Sequence, residues 1–89
     1  MRYALLIEDK AKKELSRLDR PYQRLIVKKL NQLAEDFDSL ANNLKQLKGK
    51  FDYYRLRVGD YRIIFHRDAE RIIITIISIG HRKNIYSDF

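Results

Sequence analysis

An α+β domain, in which an amino-terminal strand and a helical hairpin pack on one face of an antiparallel sheet, is predicted by three features of the sequence. Apolar residues recur at helical spacing between Ala11 and Phe37, they group into strand-like runs after residue 50, and a two-residue Gly59-Asp60 loop joins two of those runs. Tyr3 to Ile7 is a short apolar run with an aromatic or β-branched residue at each end, and it reads as a strand. Ala11, Leu15 and Leu18 then fall three to four apart, with Lys12, Lys13, Glu14 and Arg17 assigned to the polar face. Asp19-Arg20-Pro21 marks a boundary, because proline disfavours helix at the residue before it and suits the first turn of a new one. A second helix is expected from about Pro21 to Phe37, with Tyr22, Leu25 or Ile26, Leu30, Leu33 and Phe37 along its apolar stripe. Asp38 to Lys50 reads as a polar connector with a turn of helix around Leu40, Leu44 and Leu47, closed by Gly49. Three strands follow as a meander: Phe51 to Val58, Tyr61 to Arg67 and Ile72 to Ile79.

At 89 residues, the chain has room for one core, so residues 1–89 are expected to form one domain. Hydrophobic residues make up 45% and charged residues 35%, with three Gly and one Pro, which is a globular rather than a disordered composition. A formal charge of +7 favours a polyanionic partner: nucleic acid, an anionic membrane or an acidic protein. The absence of cysteine excludes a disulfide framework, a zinc ribbon and thiol catalysis, and two histidines are too few for most metal centres, so no metal or cofactor is expected. The longest apolar run, Ile72 to Ile79, falls far short of the roughly 20 residues that span a bilayer. The amino terminus turns acidic at Glu8-Asp9 before any cleavage signal. No membrane association and a cytoplasmic location are the expectation.

The two-residue loop fixes the register of its hairpin: Val58 with Tyr61, Arg57 with Arg62, Leu56 with Ile63, Arg55 with Ile64, Tyr54 with Phe65 and Tyr53 with His66. Tyr54, Leu56, Val58, Tyr61, Ile63 and Phe65 then share one largely apolar face suited to the helices. Tyr53, Arg55, Arg57, Arg62 and His66 gather on the other. Arg57 opposite Arg62 is a like-charge pair with Cβ atoms roughly 5 Å apart, which is destabilising unless an anion bridges it. Strand arginines also serve simply as solubilising groups or as partners of acids such as Asp52, Asp60 or Glu70, and the face pattern leaves both readings open. His66, near a strand end, reads as a surface residue. Past the last strand, Gly80-His81-Arg82-Lys83-Asn84-Ile85-Tyr86 places an imidazole, a guanidinium, an ammonium and a phenol at an element end, where functional side chains commonly project; a basic tail without function is the plain alternative.

Tyr54-Arg55-Leu56-Arg57-Val58-Gly59-Asp60-Tyr61-Arg62-Ile63-Ile64-Phe65, together with Gly80-His81-Arg82 and Tyr86, resembles the signature of RelE-type toxins in the RelE/ParE superfamily of toxin-antitoxin modules. The likeness extends over nearly the whole chain and includes the Leu47-Lys48-Gly49 segment before the meander. It implies a microbial RNase-like fold that cuts mRNA in the ribosomal A site, inhibiting translation and growth. In that chemistry the ribose 2′-hydroxyl attacks the adjacent phosphate, leaving a 2′,3′-cyclic phosphate and a free 5′-hydroxyl. The resemblance assigns Arg62 and Arg82 to the scissile phosphate, Arg55 and Arg57 to phosphate binding, and Tyr86 to base stacking or proton transfer; the face and tail patterns add Tyr53 and Lys83 as candidate RNA contacts. Some members carry lysine where this chain has Arg55 and Arg57, and arginine is a poor proton shuttle. The acid-base work therefore moves to His81, since imidazole is the side-chain class that changes charge in the neutral range, or to Tyr86, since a phenol needs about 4 kcal/mol of cationic help to ionise there.

The resemblance further implies a RelB-like antitoxin whose acidic segment wraps the cationic face, with operator DNA bound only through that complex. Two other functions compete. A ParE-like gyrase poison would use the same scaffold without a catalytic constellation, and a non-catalytic RNA-binding domain would use the basic face and Tyr53 only to stack and neutralise.

Overall fold

The computed structural model describes residues 2–81. Strand β1 (Ala4–Ile7) leads into helix α1 (Asp9–Ser16) and helix α2 (Arg20–Glu35); a 3₁₀ segment (Phe37–Asn43) follows, then β2 (Leu44–Gln46), β3 (Tyr53–Val58), β4 (Tyr61–Asp68) and β5 (Ile73–His81). The five strands form one sheet in the order β1-β5-β4-β3-β2, with the helices against one face. This is the expected α+β architecture.

The β3–β4 register matches all six pairs that the loop length dictates. Gly59 takes φ +59 in that loop, and nothing lies within 4 Å of where a Cβ would stand. Glycine is therefore favoured there by backbone conformation rather than by space. Between β4 and β5 the register slips, from Ile64↔Ser78 to Phe65↔Ile76, so Ile77 is the extra residue of a bulge.

Four details differ from the sequence reading. First, β1 pairs parallel to β5, from Ala4↔Ile73 to Ile7↔Ile76, so the sheet is mixed; the hairpin α1–α2 carries the chain across the helical face between the strands. Second, the connector contributes a fifth strand, β2, antiparallel to β3. Third, α2 stops at Glu35 because Asp36 leaves helical geometry (φ −148, ψ 82). Phe37 then sits in the 3₁₀ segment, its ring against Tyr54 (5.5 Å) and Phe65 (6.2 Å). Fourth, β3 begins at Tyr53, because Asp52 adopts a left-handed φ of 61 and Phe51 before it is 84% exposed.

Ala11, Ile26, Leu30 and Leu33 from the helices meet Leu56, Val58, Ile63, Phe65, Ile74, Ile76 and Ile79 from the sheet in one buried cluster. Ile26 rather than Leu25 carries the stripe, since Leu25 is 40% exposed. No described helix is long and apolar enough to cross a membrane.

Candidate functional site

The strands alternate their side chains, so the sheet face turned away from the helices can be read off the pairing in rows. Arg57, Arg62 and Gly80 form one row across β3, β4 and β5. Lys45, Arg55, Ile64 and Ser78 form the next, and Tyr53, His66 and Thr75 a third. At about 3.4 Å per residue, the outer rows lie about 14 Å apart. Ile64 is buried within the face beside the cations, and Ser78 is buried next to it at the β5 edge. The Tyr53 and His66 rings meet at 4.8 Å between centroids, and the Lys50 ammonium lies 5.8 Å from the Tyr53 ring. The face thus combines clustered cations with a half-buried ring pair, the combination that neutralises phosphates and stacks bases.

Arg57 is exposed and stands directly across from Arg62. The Arg62 guanidinium is held by the turn: its Nη1 donates to the carbonyl oxygens of Gly59 (2.9 Å) and Tyr61 (3.0 Å). These bonds use one of its two terminal nitrogens. The others make no hydrogen bond among the described residues. Gly80, opposite Arg62 on β5, brings no side chain into the row.

Lys45 was not legible in the sequence as a site residue. It faces Arg55 because β2 exists, and the alternation Leu44-Lys45-Gln46 inside an otherwise polar connector was the only trace of it. His81 falls on the other face. It pairs with Tyr61, its ring packs edge-on to the Tyr61 ring at 5.9 Å, and Tyr61 in turn meets Tyr22 of α2 at 5.2 Å. Tyr53, Arg55, Arg57 and Arg62 are therefore brought together, and the His81 side chain is not with them. Arg82, Lys83 and Tyr86 lie outside the described residues.

The end of β5, from which that tail departs, is fixed by a side chain expected on the polar face of α1. β1 ends opposite Ile76, so among the described residues the next part of the β5 edge has no strand neighbour. The Glu14 carboxylate takes that place, accepting from the Ile79 backbone N–H (2.9 Å) and the buried Ser78 hydroxyl (3.1 Å). A second guanidinium, that of Arg67, stands on the helix side, where it lies over Phe37 (4.2 Å to the ring centre) and donates to the Tyr54 hydroxyl (3.1 Å). Its surroundings mark it as a packing residue. Among the described residues, no cluster of His, Asp and Glu could hold a metal.

A family model described as ParE toxin of type II toxin-antitoxin systems matches residues 5–86. The chain belongs to the RelE/ParE superfamily of type II toxins. Its relatives include the mRNA interferase toxin RelE of Escherichia coli K12, 30% identical over 92 residues covering 99% of this chain and 94% of the relative. Toxin RelE3 of Methanocaldococcus jannaschii is 38% identical over 58 residues, which span 65% of this chain and 64% of that protein. Among solved structures, the toxin superposes on the archaeal RelE–RelB complex from Pyrococcus horikoshii with a TM-score of 0.81 at 25% identity, covering 94% of this chain and 99% of that one. Isolated E. coli RelE gives a TM-score of 0.75 at 27% identity, with 97% and 93% covered.

Proposed function

We propose that this toxin is a ribosome-dependent endoribonuclease that cuts mRNA through the basic sheet face. The observation that carries the reading is the Arg57–Arg62 pair, two like charges held opposite each other on a face that also bears Lys45, Arg55 and the Tyr53–His66 rings. An RNA phosphate between the two guanidinium groups turns mutual repulsion into a clamp. Cleavage needs three things: a base for the 2′-hydroxyl, cations for the added negative charge on phosphorus, and an acid for the leaving 5′-oxygen. In the step, the bond from the 2′-oxygen to phosphorus forms as the bond to the 5′-oxygen breaks. The 2′-hydroxyl proton goes to the base and the 5′-oxygen takes one from the acid.

Arg62, together with Arg82, contacts the scissile phosphate, Arg55, Arg57 and Lys83 hold flanking phosphates, and Tyr53 stacks on a base. Proton transfer falls to Tyr86 or His81. The His81 side chain lies on the opposite face of the sheet, beside Tyr61, so its part is tested separately below. A chain this small relies on a larger partner, here the ribosome, to orient the substrate.

The relatives' complexes with RelB support a cognate antitoxin for this chain, one that brings carboxylates to Arg55, Arg57, Arg62 or Arg82 and carries any operator binding. A second reading is favoured by one observation, the ParE description of the matching family: inhibition of DNA gyrase on the same scaffold. The test is product chemistry. Purified toxin acting on ribosome-bound mRNA is expected to leave 2′,3′-cyclic phosphate and 5′-hydroxyl ends, and a 2′-deoxy substitution at the cut site to block it. Cleavage that survives the substitution overturns the mechanism.

A further inference from the structure

The end of β5 is held differently from the rest of the strand. From Ile73 to Ile76 the strand lies between β1 and β4, but from Ser78 onward it pairs, among the described residues, with β4 alone. The bulge at Ile77 interrupts the ladder at the same place. Ser78 and Ile79 are nevertheless buried, at 1% and 2% exposure, so their outward polar groups need an acceptor that water does not supply. One atom meets that need. Glu14 Oε1, reaching across from the last turn of α1, accepts from both the Ile79 backbone N–H (2.9 Å) and the Ser78 hydroxyl (3.1 Å). Helix α1 thereby stands in for a strand neighbour. Gly80 then carries no side chain to pack, and His81 closes the strand. Ile79 is thus the last buried residue before Arg82, the first residue past β5.

We infer that Glu14 is a positioning residue for the cleavage reaction, setting the direction in which the chain leaves β5 and so where the Arg82 guanidinium meets the scissile phosphate. This builds on the proposed ribonuclease reading, in which Arg82 contacts that phosphate. Without the carboxylate, the Ile79 N–H and the Ser78 hydroxyl are left unsatisfied in a buried place, and the strand end relieves that cost by shifting toward water. Misplacing a catalytic group by about 1 Å slows a reaction on the order of a hundredfold. Substrate binding is spared. Lys45, Arg55, Arg57 and Tyr53 stand on β2 and β3, at least two strands from the Glu14 contact, and Arg62 is held by its own turn. The requirement is for an acceptor rather than a charge, because both short bonds end on the same oxygen, which the amide of glutamine also offers.

The test compares cleavage of ribosome-bound mRNA by wild type, Glu14→Ala, Glu14→Gln and Leu33→Ala, at a temperature where circular dichroism shows every protein folded. Leu33, buried in the core on α2, controls for lost stability alone. Glu14→Ala is expected to lower kcat by about tenfold to a hundredfold, with KM for the programmed ribosome unchanged. Glu14→Gln is expected to stay within about threefold of wild type and Leu33→Ala within about twofold. Hydrogen exchange of the Ile79 amide in free toxin reads the contact itself. It is expected to be slow in wild type and Glu14→Gln, and about tenfold faster in Glu14→Ala than in Leu33→Ala. If Glu14→Ala does not fold, Glu14→Asp, which keeps the charge and shortens the reach, takes its place with the same expected fall in kcat. Equal kcat in Glu14→Ala and Leu33→Ala, a loss confined to KM, or no rescue by Glu14→Gln overturns the inference. Failure of the ribonuclease reading shows separately, as a wild type that cuts no ribosome-bound mRNA although its Ile79 amide is protected, or as an Arg82→Ala variant that cuts as fast as wild type. Either result also removes the role assigned to Glu14.

Discussion

Replacing Arg57 by Gln isolates the electrostatic feature on which the site depends. Arg57 and Arg62 are directly opposed, and the Arg62 head is tied to the Gly59 and Tyr61 carbonyls, which limits how far it can swing away. Opposed like charges on a sheet cost a few tenths to about 1 kcal/mol, and the exposure of Arg57 puts this pair near about 0.5 kcal/mol. For a domain of this size that corresponds to a rise of roughly 2 to 4 °C in Tm when the repulsion is removed. Free toxin carrying Arg57→Gln is therefore expected to melt slightly above the wild type at low ionic strength, with the difference fading as salt shortens the screening length to about 10 Å. Inorganic phosphate should reverse the order. A dianion bridging both guanidinium groups stabilises the wild type by about 2.7 kcal/mol at a hundred times its Kd, and the variant has lost half of the clamp. Thermal melts of both proteins, with and without phosphate, at low and moderate salt, make the comparison. If the variant melts lower at low salt, or if phosphate stabilises both equally, the pair is not an anion clamp.

Other substitutions test neighbouring parts of the structure. Glu14→Ala strips the Ile79 N–H and Ser78 hydroxyl of their acceptor, at about 2 kcal/mol, and is expected to lower Tm by roughly 8 to 16 °C, with Glu14→Gln costing less than half as much; a melt within a degree of wild type would show the carboxylate to be dispensable. Lys45→Gln is expected to weaken RNA cleavage about tenfold, one charge-assisted contact, while stability moves by less than about 0.5 kcal/mol; unchanged cleavage removes β2 from the site. Gly59→Ala forces a side chain into the left-handed region and should cost about 1 kcal/mol by denaturant unfolding, with no clash to relieve. If His81 transfers a proton, His81→Ala flattens the neutral-range limb of the pH–rate profile of ribosome-dependent cleavage; an unaltered profile assigns the step to Tyr86.

The parts of this fold written in local chemistry were legible in the sequence. Gly59-Asp60 set a hairpin register, and the register alone placed Tyr53, Arg55, Arg57, Arg62 and His66 on one face. What was not legible depends on contacts distant in sequence. The parallel pairing of Ala4–Ile7 with Ile73–Ile76 joins segments nearly the whole chain apart, and no residue in either run announces direction. Lys45 became a site residue because three residues of a polar connector zip onto β3. Glu14 had the spacing of a solvent-facing residue, and only the gap left beyond β1 turned its carboxylate inward. His81 followed the same pattern. Its chemistry made it a candidate, and its pairing with Tyr61 put it beside the helices rather than the arginines.

The most direct measurement of the proposed ribonuclease activity is the mapping of mRNA 5′ ends and DNA breaks after induction of wild-type toxin and of Arg62→Ala at equal protein levels. Wild type is expected to arrest growth and produce new ends within translated mRNA, with intact DNA, and Arg62→Ala to produce neither arrest nor ends. Arrest with broken DNA and no new mRNA ends, or unchanged cutting by Arg62→Ala, would contradict it.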